Sequence, residues 1–121
     1  MANKKTLVLG ASSNPSRYSY LAINSLQKKG HDVIAIGTRP GKVGNTEIET
    51  QQKDIDNIDT VTLYLNANNQ KQYYDYIVSL HPKRIIFNPG AENHELAELA
   101  TKNNILPQEA CTLVLLSTGQ Y

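Results

Sequence analysis

With 121 residues, 40% hydrophobic and 19% charged, the chain has the make-up of one globular domain, and a formal net charge of +1 supplies no field to recruit nucleic acid or a membrane surface. A cofactor domain and a substrate domain do not both fit in this length, so any function has to be housed in one sheet. The longest apolar runs fall far short of the roughly 20 residues of a membrane helix, the first residues lack the apolar core of a secretory leader, and a single cysteine, Cys111, leaves no internal disulfide; a cytoplasmic protein is expected.

Leu7, Val8 and Leu9 form a continuous apolar run, the pattern of a strand covered on both faces in a parallel sheet. The run empties into Gly10-Ala11-Ser12-Ser13-Asn14-Pro15-Ser16-Arg17. Tyr18, Leu21, Ala22, Ser25 and Leu26 then recur at helical spacing up to Lys28-Lys29, with Gly30 as the left-handed stop. Val33-Ile34-Ala35-Ile36 reads as a second strand, closed by the turn Gly37-Thr38-Arg39-Pro40-Gly41-Lys42. Strand, helix and strand within about thirty residues make one right-handed βαβ unit.

Patterning is weakest between Val43 and Asp59, where Thr46-Glu47-Ile48-Glu49 fits a short extended piece and Asp54 to Ile58 at most a helical turn. Thr60 to Leu65 is β-branched and aromatic, and reads as a strand followed by an Asn-rich loop. Tyr73, Tyr76, Ile77 and Leu80 give a helical stripe that ends at His81-Pro82, with Tyr73, Tyr74 and Tyr76 as an exposed face for a homodimer or another protein partner. Arg84-Ile85-Ile86-Phe87 is the fourth strand, and Leu96, Leu99, Ala100 and Asn103 mark another helix. Ile105-Leu106-Pro107 begins a fifth strand that its proline confines to an edge, and Cys111 to Leu116 is taken as a short helix. The expected fold is α/β: a single Rossmann-like, doubly wound and mostly parallel five-stranded sheet, residues 1–121, with helices on both faces.

In such sheets ligands bind beyond the carboxyl ends of the strands. The first loop has one glycine, Gly10, and so lacks the Gly-x-Gly-x-x-Gly pattern, but the side chains of Ser12, Ser13 and Asn14 are able to donate to a phosphate. Arg17 at the helix start opposes the helix dipole unless an anion is present. At the end of the second strand a NAD-binding unit carries an Asp or Glu for the ribose. Thr38, Arg39 and Lys42 stand there instead, which disfavours plain NAD and leaves a ribose bearing a phosphate, as in NADP or coenzyme A. Taken singly, these cations are also what solvated turns carry.

Gly10-Ala11-Ser12-Ser13 with Arg17, the turn Gly37 to Lys42, the loop Asn88-Pro89-Gly90-Ala91-Glu92-Asn93 and the late Cys111 together resemble the small, single-domain CoA-binding proteins, a family similar to the CoA-binding domain of the succinyl-CoA synthetase α subunit. The resemblance spans nearly the whole chain and departs at Val43, where the synthetase pattern has glycine. It implies coenzyme A as the ligand, with the pyrophosphate on Gly10, Ala11, Ser12, Ser13, Asn14 and Arg17. The 3′-phosphate would lie near Thr38, Arg39 and Lys42, the adenine by Leu65 and Asn66, and the pantetheine side along Pro89, Gly90 and Asn93. The synthetase's phosphorylated histidine belongs to a domain this chain lacks, so His31, His81 and His94 inherit no catalytic role.

Cys111 reads as a buried small hydrophobe rather than a redox partner, and Glu92, Glu95 and Glu98 as charges complementing a helix dipole. The resulting expectation is a non-catalytic protein that binds CoA or an acyl-CoA, with no metal, nucleic acid or membrane. An NADP-dependent oxidoreductase and a ligand-free interaction module are the alternatives.

Overall fold

The computed structural model describes residues 3–121. Its central strand, β1 (Thr6–Leu9), is fully buried because both faces of the sheet are covered. After it come α1 (Tyr18–Lys28), β2 (Val33–Ile36), the hairpin β3 (Gly41–Val43) and β4 (Thr46–Glu49), and β5 (Thr60–Leu63). The second half is α2 (Ala67–Gln70), α3 (Tyr74–Leu80), β6 (Arg84–Phe87), α4 (His94–Lys102), β7 (Leu106–Glu109) and α5 (Thr112–Ser117).

The strand order is β3-β4-β2-β1-β5-β6-β7, and every pair is parallel except β3 with β4. The Rossmann-like class therefore holds, but the described residues form seven strands where five are expected from the sequence. The difference lies in the weakly patterned stretch. There β4 joins β2 in parallel and β3 returns along its outer side, so a hairpin takes the place of a crossover helix. β4 coincides with the extended piece expected at Thr46–Glu49, whereas β3, three residues long, overlaps the expected turn Gly37 to Lys42 and is too short to show an alternation. The Gln27 side chain of α1 anchors this hairpin, donating to the Val43 carbonyl at 3.0 Å and to Thr46 Oγ1 at 2.6 Å.

Alternation along the strands splits the core in two. Leu7, Leu9, Val61, Leu63, Ile85 and Phe87 pack against α3 and α4, while Val8, Ala35 and Ile86 pack against α1 and α5. Two expectations about helix faces are corrected here. The buried face of α1 is Ser19, Ala22, Ile23 and Leu26, whereas Tyr18 is 71% exposed and Leu21 43%, because the helix is turned by one position from the expected stripe and these two fall beside the buried face. Tyr73 and Tyr76 are buried in the α3 side of the core and Tyr74 is half-buried, so these tyrosines offer no exposed dimer face. The proline-containing strand β7 is an edge, paired only with β6. No helix among the described residues is long and apolar enough to cross a membrane.

Candidate functional site

The chain lays β2, then the outermost strand β3 and the intervening β4, on one side of the central strand, and crosses to β1's other side with β5. Strand order thus reverses between β1 and β5, and a crevice opens at their carboxyl ends. One wall is the loop 10–17. Gly10 and Ala11 both donate their N–H to the Ile36 carbonyl at 3.0 Å, which ties the loop's root to the end of β2. Beyond the root the loop braces itself with short side chains. Ser12 N donates to Ser19 Oγ (3.1 Å), Asn14 N to Ser12 Oγ (3.1 Å), and Ser16 N to Asn14 Oδ1 (3.0 Å). The last two are the local side-chain turns that Ser and Asn favour, and the first ties the loop to α1.

The loop delivers α1 with its amino end at the crevice. Arg17 holds the N-cap position in an extended conformation, makes no capping hydrogen bond, and is followed by no acidic residue in the first turn. The partial positive charge of that helix end is therefore left uncompensated by its own chain. Thr38 and Arg39 enter from the end of β2, Tyr64, Leu65 and Asn66 from β5, and Pro89, Gly90 and Ala91 from β6. Together with the loop they enclose a cleft of about 850 Å³, in the range of small-molecule sites. None of the described residues lining it is acidic, and two arginines, Arg17 and Arg39, do line it. Its described lining thus carries two cations and no acid of its own, and the Glu92 carboxylate stands just beside it, accepting from Gly90 N at 2.9 Å.

Of the residues singled out in sequence, Gly10, Ala11, Ser12, Ser13, Asn14, Arg17, Thr38, Arg39, Leu65, Asn66, Pro89 and Gly90 converge on this cleft. Two do not. Lys42 lies within β3, opposite Glu47, and borders a shallow hollow on the sheet edge with Glu49 and Lys53. The neighbouring Gly41 is the residue that packs against Ser13, and alternation along the strand turns Lys42 to the other face. Asn93 is buried behind the wall, where it caps α4 by accepting from Leu96 N (3.3 Å) and donates to Gln70 and Tyr74.

Ser16, Tyr18, Ser19, Tyr64 and Ala91 line the cleft without having been singled out. Ser16 and Tyr18 flank Arg17 and were within reach of sequence reasoning; Tyr64 depends on strand pairing. Burial drives the Tyr64 hydroxyl far above the ordinary tyrosine range, so it stays neutral. The histidines are elsewhere: His31 is buried with Nδ1 accepting from Lys4 N, His81 ends α3 in the left-handed conformation, and exposed His94 pairs with Glu98 at 2.8 Å. Half-buried Cys111 is the N-cap of α5.

A family model described as a CoA binding domain matches residues 4–117. The chain belongs to the CoA-binding domain family. Over its full length, this CoA-binding domain is similar to the whole of an uncharacterized protein of known crystal structure, with 49% identity and a TM-score of 0.97. A hypothetical protein from Pyrococcus horikoshii OT3 is 21% identical over 96% of the domain and 83% of its own chain, at a TM-score of 0.86. A dinucleotide-forming acetyl-coenzyme A synthetase 1 from Ca. Korarchaeum cryptofilum, solved with phosphate and ADP, matches 87% of the domain with 25% of its own chain. Its identity is 18% and its TM-score 0.68, and at such identity it shares the fold alone. No curated protein matches the CoA-binding domain.

Proposed function

We propose that the protein binds coenzyme A, or an acyl-CoA, across the carboxyl ends of β1, β2, β5 and β6, and serves as a non-catalytic carrier, sensor or regulator. The observation that carries this reading is the cleft itself: two arginines and an uncapped helix amino end border it with no carboxylate among its described lining residues, in a chain of the CoA-binding domain family. The diphosphate lies on loop 10–17 with Arg17. The phosphorylated ribose lies beside Thr38 and Arg39, the adenine by Leu65 and Asn66, and the pantetheine arm along Pro89 and Gly90. Bound CoA would supply the thiol that carries an acyl group. The residues of the chain bind and orient it, and the described lining offers no histidine, cysteine, lysine or carboxylate to act as a general base, which favours binding over catalysis.

Calorimetry of the purified protein with CoA, dephospho-CoA and NADP tests this. CoA is expected to bind at least about tenfold more tightly than dephospho-CoA, the scale of one charge-assisted phosphate contact. No binding of any of the three overturns the reading, and a preference for NADP transfers it to the oxidoreductase class.

A further inference from the structure

Gln70 ends the four-residue helix α2 as a fully buried amide with every function engaged. Its Nε2 donates to the Leu65 carbonyl at 2.8 Å and to the Ala91 carbonyl at 2.7 Å, and its Oε1 accepts from Asn93 Nδ2 at 2.9 Å. The same Asn93 nitrogen donates to the Tyr74 hydroxyl at 2.8 Å. Leu65 belongs to the cleft wall that follows β5, and Ala91 to the wall that follows β6. Asn88 ties the root of the second loop to Thr62 and Leu63 at the end of β5; farther out, no backbone hydrogen bond among the described residues joins the two loops to each other, and the Gln70 amide links them there directly. α2 runs on through a 3-10 turn, Lys71–Tyr73, into α3, so Gln70 is carried on a continuous helical run that packs in the core, and burying an amide is unfavourable unless its bonds are made.

We infer that Gln70 is a positioning residue that sets the span between the two walls, so that a ligand long enough to reach both meets them already in place. The inference rests on the CoA reading, in which the adenine lies on the Leu65 wall and the pantetheine arm on the Ala91 wall. A preset span removes ordering cost for a ligand that engages both walls and does nothing for one that engages a single wall. The two ligand classes therefore respond differently to its loss.

The test compares CoA with adenosine 3′,5′-bisphosphate, which lacks the pantetheine arm, by calorimetry on the natural protein, on Gln70→Met and on Tyr74→Phe. Gln70→Met is expected to bind CoA about tenfold more weakly and the bisphosphate within about twofold of the natural protein. Tyr74→Phe keeps Gln70 but removes the hydroxyl that Asn93 donates to, and it shifts CoA the same way by about twofold to threefold; it decides the matter alone if Gln70→Met does not fold. A general packing role would lower both ligands equally. That result, or unchanged CoA affinity in a folded variant, overturns the inference while leaving the CoA reading intact. A natural protein that binds neither ligand overturns the CoA reading and the inference with it.

Discussion

Gly10 lies against the Tyr64 carbonyl so closely that a Cβ on it would stand 2.7 Å from the oxygen. Its φ of +86° is also in the region that L side chains avoid. The turn that opens the cleft therefore depends on the absence of a side chain where the chain leaves β1 beside the end of β5. Gly10→Ala is expected to lose about 2 kcal/mol or more of stability, from the backbone strain and the overlap together. Urea unfolding monitored by circular dichroism checks this.

Arg17 and Arg39 both line the cleft, but from different elements, and their losses separate by ligand. Arg39→Ala is expected to weaken CoA about tenfold and dephospho-CoA much less, since Arg39 lines the cleft just past β2, where the proposed binding mode puts the phosphorylated ribose. Arg17→Ala is expected to weaken both alike through the diphosphate. Lys42→Ala, at a position outside the cleft lining, leaves both affinities unchanged. Titration calorimetry of the three variants reads all three outcomes, and equal losses for Arg39→Ala would remove it from the 3′-phosphate.

Asn88 holds the root of the pantetheine wall to the sheet and to α5. Its Nδ2 donates to Thr62 Oγ1 at 2.6 Å and to the Leu63 carbonyl at 2.9 Å, and its Oδ1 accepts from Thr112 N at 2.9 Å, all in a buried setting. Asn88→Ala strands a buried N–H and a buried carbonyl, with an expected loss of about 3 kcal/mol. Chemical denaturation measures it, and a loss below about 1 kcal/mol would mean that water replaces the amide.

Stability should fall on mild acidification. Burial first, and the Lys4 ammonium next, hold His31 below its ordinary value of 6.5. The unfolded chain therefore takes up a proton in a range where the folded chain does not, so unfolding is favoured progressively as pH drops below 6.5 and the dependence levels off once the folded pKa is passed. Urea midpoints measured from pH 7.5 down to 5 should decline, and the decline should be shallower in His31→Gln.

Local chemistry wrote much of this fold legibly. The apolar run Leu7-Val8-Leu9, the glycine stop at Gly30 and the β-branched strand 60–63 each declare themselves within a few residues, because strand burial, left-handed glycine and proline stops are short-range properties. Of the hairpin, only the extended piece Thr46–Glu49 was legible; β3 and the pairing of both strands were not, since these depend on contact with each other and with β2 rather than on local pattern. In the same way the register of α1 was misplaced by one position: Ser19 is buried because its hydroxyl accepts from Ser12 N, which no hydropathy pattern encodes.

By itself the sequence determined that a loop of Gly10, short polar side chains and Arg17 would follow the central strand, and that cations rather than a carboxylate would stand at the end of β2. The tertiary structure decided which of these residues meet. The bend after β2 carried Arg39 to the cleft, alternation along β3 turned Lys42 to the other face, and the buried amides of Asn93 and Gln70 became the frame of the wall instead of its surface. Residue types set what a side chain is able to bind, but only long-range pairing and packing fix the direction in which it points.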